Sequence, residues 1–213
     1  MNEVEQWSYG TRGEKVCEAL AKNGFDAVFA ATKEAAADLV MKYVAPGKTI
    51  GFGGSMTVAG LGVRERAAAA GAVLLDHNAP GLAPEEKLRI LRAQLTCDLF
   101  ISGANAITRD GFILNVDANG NRVGALSFGP SKVVVVAGAN KIVADLDEAF
   151  ARVEEIAAPM NNKRLSRPNP CVKAGHCMDC EGATRICRIY QILMRKPALA
   201  DFTVIIVGEP LGY

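Results

Sequence analysis

Short apolar runs alternate along the chain with amphipathic stretches that have the period of a helix. The apolar runs predict strands at residues 25–30, 48–52, 72–76, 99–102 and 132–137. Helix signals lie between them, since Asn23-Gly24 is a helix stop, Thr32 can cap a following helix, and Pro84 suits a first turn. This alternation predicts an α/β fold, a three-layer arrangement in which a mostly parallel sheet has helices on both faces.

The region after residue 103 departs from this pattern. Asp110-Gly111 lies between the apolar runs AIT and FILNV, which is the strongest hairpin signal in the chain. We therefore expect the sheet to carry an antiparallel ribbon here. Further on, Asp145 or Asp147 begins an amphipathic helix through Ala157.

The C-terminal part begins with a polar linker over residues 159–170, which contains three prolines. A cysteine-rich stretch follows, and its last cysteine, Cys187, is predicted to begin a helix. The apolar stripe of this helix is formed by Ile186, Ile189, Tyr190, Leu193 and Met194. The final run, Phe202 to Val207, is too hydrophobic to lie outside the core and predicts a strand that returns to the main sheet. We predict an α/β region over 1–160 and a cysteine-rich segment over 161–213, within a single domain.

Composition and charge exclude several classes of function. The 213 residues are 50% hydrophobic with a net charge of +1, and no basic stripe is interleaved with aromatic residues, so nucleic acid is not an expected partner. The N-terminus has no apolar targeting segment, and no run has the length of a membrane span. We expect a cytoplasmic protein without a membrane partner, in which thiols stay reduced.

Four of the six cysteines cluster in the pattern C-x5-C-x2-C-x6-C. A C-x2-C pair presents two thiolates to one centre, and two flanking cysteines can complete a four-thiolate site. The predicted metal ligands are Cys171, Cys177, Cys180 and Cys187. The irregular outer spacings favour a [4Fe-4S] cluster, with zinc as the alternative metal. The explanation without a metal is a disulfide or a chance cluster of buried thiols. Three cations could offset the charge of a cluster or could simply be solvated: Lys173, Arg185 and Arg188. The isolated Cys17 and Cys97 are predicted to be core residues.

The glycine-rich run GFGGSMT follows a predicted strand, where ligands bind in open parallel sheets. Its glycines permit close backbone approach, so it could bind phosphate or carboxylate through Gly53, Gly54, Ser55 and Thr57. It matches neither the dinucleotide fingerprint nor a Walker loop. The alternative is a tight turn that only packs.

Two further loops share the pattern Gly-Ala-Asn-x-Ile after successive strands and place Asn105 and Asn140 at one crevice, with Lys141 as an anion partner. Capping or turn roles for the asparagines are equally compatible with the sequence. Asp117 is the candidate for acid-base chemistry, and Arg122 could pair with it or with a substrate carboxylate. His77 is more typical of a hydrogen-bonded loop residue than of a catalyst.

Several runs together resemble the LUD-domain, or lactate-utilisation, family. They are GFGGSMT, NAITRDGFILNVDANGNRVGALSFGPSKVVVVAGANKIV, DEAFARVEEIAAPMNNKRL, the cysteine pattern and the ending IIVGEPLGY, spanning about residues 7–213. The resemblance implies a fold similar to the sugar-phosphate isomerase and CoA-transferase group (NagB/RpiA-like). It also implies a link to the oxidation of L-lactate to pyruvate beside iron-sulfur partners. Compact LUD proteins lack a cysteine cluster and larger ones carry it in a separate segment, so this chain resembles the short, stand-alone type.

The leading hypothesis is a redox protein that binds a small carboxylate or phosphate at the glycine loop and transfers electrons through a four-cysteine iron-sulfur cluster. It implies a redox protein partner and leaves homo-oligomerisation open. One alternative is a zinc-stapled metabolite-binding or regulatory protein. Another is a sugar-phosphate isomerase or acyl-transfer enzyme, which would need a carboxylate such as Asp117 poised in the pocket.

Overall fold

The protein is described by a computed structural model that covers all residues, 1–213. Ten strands form two sheets: β1 (Asp26–Ala30), β2 (Thr49–Phe52), β3 (Val73–Leu75), β4 (Leu99–Gly103), β5 (Ala106–Thr108), β6 (Ile113–Asp117), β7 (Lys132–Gly138), β8 (Ile142–Val143), β9 (Ile189–Leu193) and β10 (Asp201–Val207). The main sheet is wholly parallel in the order β1-β10-β7-β4-β2-β3. The second sheet has the order β8-β5-β6-β9. The predicted α/β class with a mostly parallel sheet is confirmed.

Nine helices complete the fold: α1 (Glu3–Lys22), α2 (Lys33–Met41), α3 (Met56–Ala59), α4 (Val63–Ala69), α5 (Pro84–Ala93), α6 (Asn121–Ser127), α7 (Leu146–Arg152), α8 (Ala158–Arg164) and α9 (Cys171–Ala174). The predicted caps are confirmed, because the side chain of Thr32 accepts from the amide of Ala35 and that of Asp145 from the amide of Glu148. Gly24 follows α1 with φ +88°, which is the left-handed conformation that ends helices. None of the helices is both long enough and apolar enough to cross a membrane.

The pleat of the central strands divides the core between the two faces of the main sheet. In β7, Val133 and Val135 pack against α1 and the second sheet, whereas Val134 and Val136 pack against α2, α3 and α4. A third, smaller cluster joins the outer face of the second sheet to α7 and α8. Cys97 lies in the first of these cores and Cys17 packs against it, and burial raises the pKa of each thiol to about 11, so both behave as core hydrophobes.

β10 lies between β1 and β7, near the centre of the main sheet, where its apolar side chains are buried on both faces. The Asp110-Gly111 turn does join two antiparallel strands, β5 and β6, with Gly111 at φ +79°. The expectation that this ribbon extends the main sheet was wrong, because β5 and β6 belong to the second sheet. Their apolar faces cover the first core from outside the main sheet.

Two predictions for the C-terminal part were wrong. Residues 189–193 form β9, which pairs antiparallel with β6, and not a helix. Ile189 and Leu193, four positions apart, share one face in a strand as they do in a helix, and in β9 Leu193 is buried while Ile189, at the other end, stays exposed. The helix that begins after Asp145 also continues past Ala157 through a π-helical segment, 153–157, into α8, so the linker begins only after Arg164.

Proline explains the π-helical segment. Pro159 lies in α8 and lacks an amide hydrogen, and its ring would clash with the carbonyl four residues earlier in a regular helix. Widening the preceding turn relieves this clash and leaves carbonyls free for other donors. One of them, the carbonyl of Glu154, accepts from the amide of Cys177 at 2.8 Å.

Candidate functional site

One cavity of about 250 Å³ lies at the carboxyl edge of the main sheet. It is bordered by the residues that follow β2, β3, β4, β7 and β10, by the end of β6 with α6, by α8, and by part of the cysteine-rich segment. The predicted site residues that line it are Gly53, Gly54, Ser55, Asn105, Asp117, Arg122 and Lys141. Thr57 and Asn140 lie behind this lining and contact it. The fold therefore assembles in one place residues that are nearly ninety positions apart in the chain.

Close backbone packing explains the glycines of this edge. A Cβ on Gly53 would lie 2.6 Å from Ser102 Oγ, and one on Gly103 would collide with Ser55 Oγ. The loop after β2 and the end of β4 therefore touch through backbone, which only glycine permits. Ser55 caps α3 by accepting from the amide of Val58 at 3.3 Å.

Lys141 is the most deeply buried cation of the cavity, with 4% of its surface exposed. Its Nζ donates to Thr57 Oγ1 at 2.8 Å and to the carbonyl of Ala104 at 3.0 Å. No carboxylate lies within salt-bridge distance of it. Burial, together with the neighbouring charges of Arg152 and Arg122, lowers the pKa of Lys141 to about 7.

Asp117 and Arg122 also line the cavity and form an ion pair, with 2.9 Å between Asp117 Oδ1 and Arg122 Nε. Asp117 Oδ2 also accepts from the amides of Arg122 and Val123, which begin α6. Arg122 Nη2 donates to Asn105 Oδ1 at 3.0 Å and to the carbonyl of Val116. Asp117 is thus engaged in holding Arg122 and α6, which leaves it poorly placed for proton transfer.

The two asparagines have different surroundings. Asn105 lines the cavity, and its side-chain oxygen also accepts from the amide of Val116 at 2.9 Å. Asn140 instead holds the C-terminal tail, because its Oδ1 accepts from the amide of Leu211 and its Nδ2 donates to the carbonyl of Gly212. Thr57 Oγ1 donates to the carbonyl of Leu211 at 3.0 Å. The tail therefore closes the cavity behind Thr57 and Lys141.

His77 also lines the cavity. Its Nδ1 lies 3.0 Å from Nε2 of the buried Gln94, whose amide also donates to the carbonyl of Leu75. This contact makes Nδ1 the acceptor and leaves Nε2 as the ring nitrogen available to a ligand. Burial lowers the pKa of His77, so the ring is neutral at neutral pH.

The sequence interpretation missed the outer part of this site. Three exposed cations, Lys87, Arg164 and Arg167, line its rim, and the C-terminal Tyr213 lines it as well. Asp117 is the single acidic residue of the lining, against five cations. The two rim arginines fall in the supposed linker, where the absence of acidic residues was the available signal. The net positive charge makes this a site for anions.

Four sulfurs meet at a second, much smaller cavity. Its walls include Cys171, Cys177, Cys180 and Cys187, and all four are free thiols. Burial, followed by the charge of Cys177, raises the pKa of Cys187 to about 11, and burial raises that of Cys171. All four cysteines therefore line one small cavity.

Polar contacts hold the cysteine-rich loop, residues 175–188, in place. The guanidinium of Arg185 donates to the carbonyls of Cys187 and Cys180 at 2.8 and 2.7 Å and pairs with Asp179. Asn169, which is 4% exposed, accepts from Thr184 and donates to Asn162 of α8. Arg185 thus closes the loop on itself, and Asn169 ties it to the helix beside the main cavity.

The four cysteines have the right chemistry for a metal site, but their side chains are not arranged around a common centre. Four thiols from one short segment are the usual ligands of zinc and of iron-sulfur clusters. However, no group of three or more His, Cys, Asp and Glu side chains is arranged to hold a metal ion. The cavity volume is about 10 Å³, roughly that of one water molecule. Three of the four cysteines lie in the loop over 175–188, which contains no helix or strand.

The two cavities share a wall. Ala158, Ile186 and Cys187 line both of them, and the amide of Arg188 donates to the carbonyl of Asp117 at 3.1 Å. A ligand in the main cavity would therefore lie next to one of the four thiols.

Comparison with known proteins identifies the family and the fold. A family model described as "LUD domain" matches residues 13–207. No curated protein matches the chain. The crystal structure of a DUF162 family protein from Deinococcus radiodurans superposes with a TM-score of 0.51 and 14% identity, covering 93% of this chain and 98% of that chain.

Weaker matches cover about half of the chain. Ribose 5 phosphate isomerase A from Neisseria gonorrhoeae has a TM-score of 0.34 and 20% identity, over 54% of each chain. The eIF2B beta subunit from Chaetomium thermophilum has a TM-score of 0.36 and 18% identity, over 53% of this chain and 43% of that chain. The fold assignment therefore rests on the first structure.

Proposed function

Because the chain belongs to the LUD-domain family, we propose that it is a redox protein related to lactate utilisation. In this proposal the main cavity binds a small carboxylate or phosphate metabolite, and the four cysteines hold a [4Fe-4S] cluster beside it. The family supports a lactate-utilisation-related role in the broad sense. The observation that carries the finer proposal is the shared wall, where Cys187 borders both the anion cavity and the cavity of the thiols.

Charge supports the anion-binding part. One buried cation, Lys141, faces the cavity and three exposed ones lie at its rim, while its single carboxylate is already paired with Arg122. Lys141 has a buried amine without a counter-ion, and an anionic ligand would offset the cost of charging it there. The glycines after β2 let a ligand approach the backbone closely.

Ligand chemistry supports the metal part. Cys171, Cys177, Cys180 and Cys187 would hold the cluster, which would supply one-electron transfer to a redox protein partner. Arg185, whose guanidinium is bonded within the loop, would lie close enough to offset part of the negative charge of four thiolates. Its pKa is raised, chiefly by its hydrogen bond with Asp179, so it remains a cation.

Metal and sulfide analysis of anaerobically purified protein tests this function. We expect iron and sulfide in equal amounts, visible absorption that bleaches on reduction, and loss of both in Cys171→Ser. Thermal stabilisation by L-lactate or phosphate is expected in parallel. Protein that contains zinc, with no iron and no sulfide, would exclude the electron-transfer role.

The second candidate is a zinc-stapled protein that senses an anionic metabolite. The small volume of the thiol cavity favours it, because a single ion needs less movement of the loop than a cluster of four irons. It predicts one zinc per chain, unchanged by oxidants and reductants that cycle a cluster, together with the same anion-dependent stabilisation. Isomerase or acyl-transfer chemistry has less support, because Asp117 is engaged by Arg122 and two amides.

A further inference from the structure

The amine of Lys141 at the base of the main cavity has unusual surroundings. Among the cations of the lining, its amine alone is nearly excluded from solvent, and the guanidinium of Arg152 packs nearby without a carboxylate of its own. Gly212 of the tail lies against it, since a Cβ on that glycine would lie 3.5 Å from Lys141 Nζ. No carboxylate in the surrounding fold pairs with this amine.

The hydrogen bonds of Nζ match a neutral amine. Two acceptors contact it, Thr57 Oγ1 and the carbonyl of Ala104, and both distances are good. A neutral amine has two hydrogens and one lone pair, so these two acceptors satisfy its hydrogens and leave the lone pair free. An ammonium would have a third hydrogen without an acceptor. These two acceptors accommodate a neutral amine, whose lone pair would be free to attack an electrophile in the cavity.

We propose that Lys141 is a nucleophilic residue that condenses with a 2-oxo acid bound in the main cavity. The carboxylate of such a ligand suits the surrounding cations, chiefly Arg122 and the rim arginines, and its adjacent ketone presents an electrophilic carbon to Nζ. The inference rests on the anion-binding part of the proposed function and adds the chemical class of the ligand and a covalent step.

The step balances without an oxidant or a reductant. Nζ bonds to the ketone carbon while the carbonyl electron pair moves to oxygen, which takes up a proton. The resulting hydroxyl leaves with a second proton as water, Nζ loses its two protons, and a C=N bond joins ligand and lysine. Burial and two neighbouring guanidinium groups, which lower the pKa of Lys141 to about 7, keep a large share of the amine unprotonated at neutral pH.

Reductive trapping tests the proposal on the full-length protein. Wild-type protein is incubated with pyruvate and cyanoborohydride and then analysed by intact mass and peptide mapping. We expect one reduced pyruvate adduct per chain at Lys141, formed at least tenfold faster than on any exposed lysine. L-Lactate and phosphate, which have no ketone, should slow trapping by competition.

Two variants complete the test. Lys141→Arg keeps the positive charge but cannot form the imine, so it should bind anions and lose the adduct. Lys48→Arg, in which an exposed lysine at the amino edge of the main sheet is changed, should trap like wild type. Peptide mapping of the wild-type protein needs no variant, so the outcome does not depend on how well Lys141→Arg folds.

The possible failures separate the two proposals. If pyruvate, lactate or phosphate stabilises the protein but trapping is absent or spread over exposed lysines, the nucleophile is overturned and anion binding stands. If no anion stabilises the protein and none is trapped, both are overturned. Trapping in Lys141→Arg at the rate and yield of the wild type would also overturn the assignment.

Discussion

The anion cavity and the cysteine-rich loop lie side by side but are built differently. The cavity lies at the ends of strands whose side chains are buried in the core, and its polar groups form hydrogen bonds with one another. The loop has no regular structure over 175–188 and is held by a few polar contacts through Arg185 and Asn169. The difference indicates that the cavity is preformed, and it predicts that a metal bound by the thiols would stabilise the loop.

Removing a metal bound by the four thiols is expected to give the largest effect, and the effect should be confined to the loop. For Cys171→Ser we expect loss of any bound metal and a decrease of about 4 kcal/mol in the free energy of local opening of the loop, the value for a ligand present at a thousandfold its Kd. Hydrogen exchange should speed up over 175–188 while amides around Lys141 stay protected. Cys17→Ser, outside the thiol cavity, serves as the control for loss of a half-buried thiol. Equal loss of protection in both regions would contradict the contrast between them.

On the cavity side, the Asp117–Arg122 pair should matter for stability more than for turnover. Asp117→Asn removes a carboxylate that accepts from Arg122 Nε and from two amides, so we expect a decrease of about 2 kcal/mol in the free energy of unfolding. Chemical denaturation measures it. Asp110→Asn, exposed at the tip of the hairpin, should change stability little. An unaltered stability for Asp117→Asn would mean that the pair has another role.

Close packing of the glycine loop can be tested with two alanines. Gly53→Ala places a Cβ 2.6 Å from the hydroxyl of the buried Ser102, so we expect a cost of about 1–2 kcal/mol and weaker anion binding. Gly10→Ala in α1 meets nothing within 4 Å and should stabilise the protein by roughly 0.5–1 kcal/mol, as in other helix interiors. Thermal unfolding with and without phosphate distinguishes them. Wild-type anion binding by Gly53→Ala would show that the loop only packs.

The last expected effect is a pH dependence of stability that comes from Lys141. Its pKa in the folded protein, about 7, lies below the unfolded value of 10.5, so unfolding takes up a proton between these pH values. The buried charge of Lys141 therefore lowers the free energy of unfolding by its full amount below pH 7, and this loss disappears as pH rises towards 10.5. The charged groups facing Nζ are Arg122 and Arg152.

Lys141→Met isolates this contribution. In urea denaturation without added anions, we expect the free energy of unfolding of wild type to increase relative to that of the variant by about 2 kcal/mol between pH 7 and pH 9. Lys48→Met, an exposed lysine, should show no such difference. A flat difference for Lys141→Met would mean that the amine keeps its charge in the folded protein.

Local signals predicted much of the fold because they act over few residues. Thr32, Pro84 and Asp145 start helices as their side chains dictate, and Asp110-Gly111 forms its turn. The segment after Cys187 was misread because Ile189 and Leu193 lie on one face at helical spacing and also lie on one face of a strand. Pairing with β6 decided between them, and no local pattern carries that information.

The sequence by itself determined the α/β class and the parallel sheet, because hydrophobic period and turn residues are properties of short stretches. The assignment of the four cysteines as metal ligands stays a prediction from their spacing. Only the tertiary structure decided that the hairpin belongs to a second sheet, that Asn140 binds the tail, and that Cys187 borders the anion cavity. It also brought Arg164 and Arg167 to the cavity rim and left Lys141 without a counter-ion. Charge balance and shared walls arise between distant segments, so they exist only once the chain has folded.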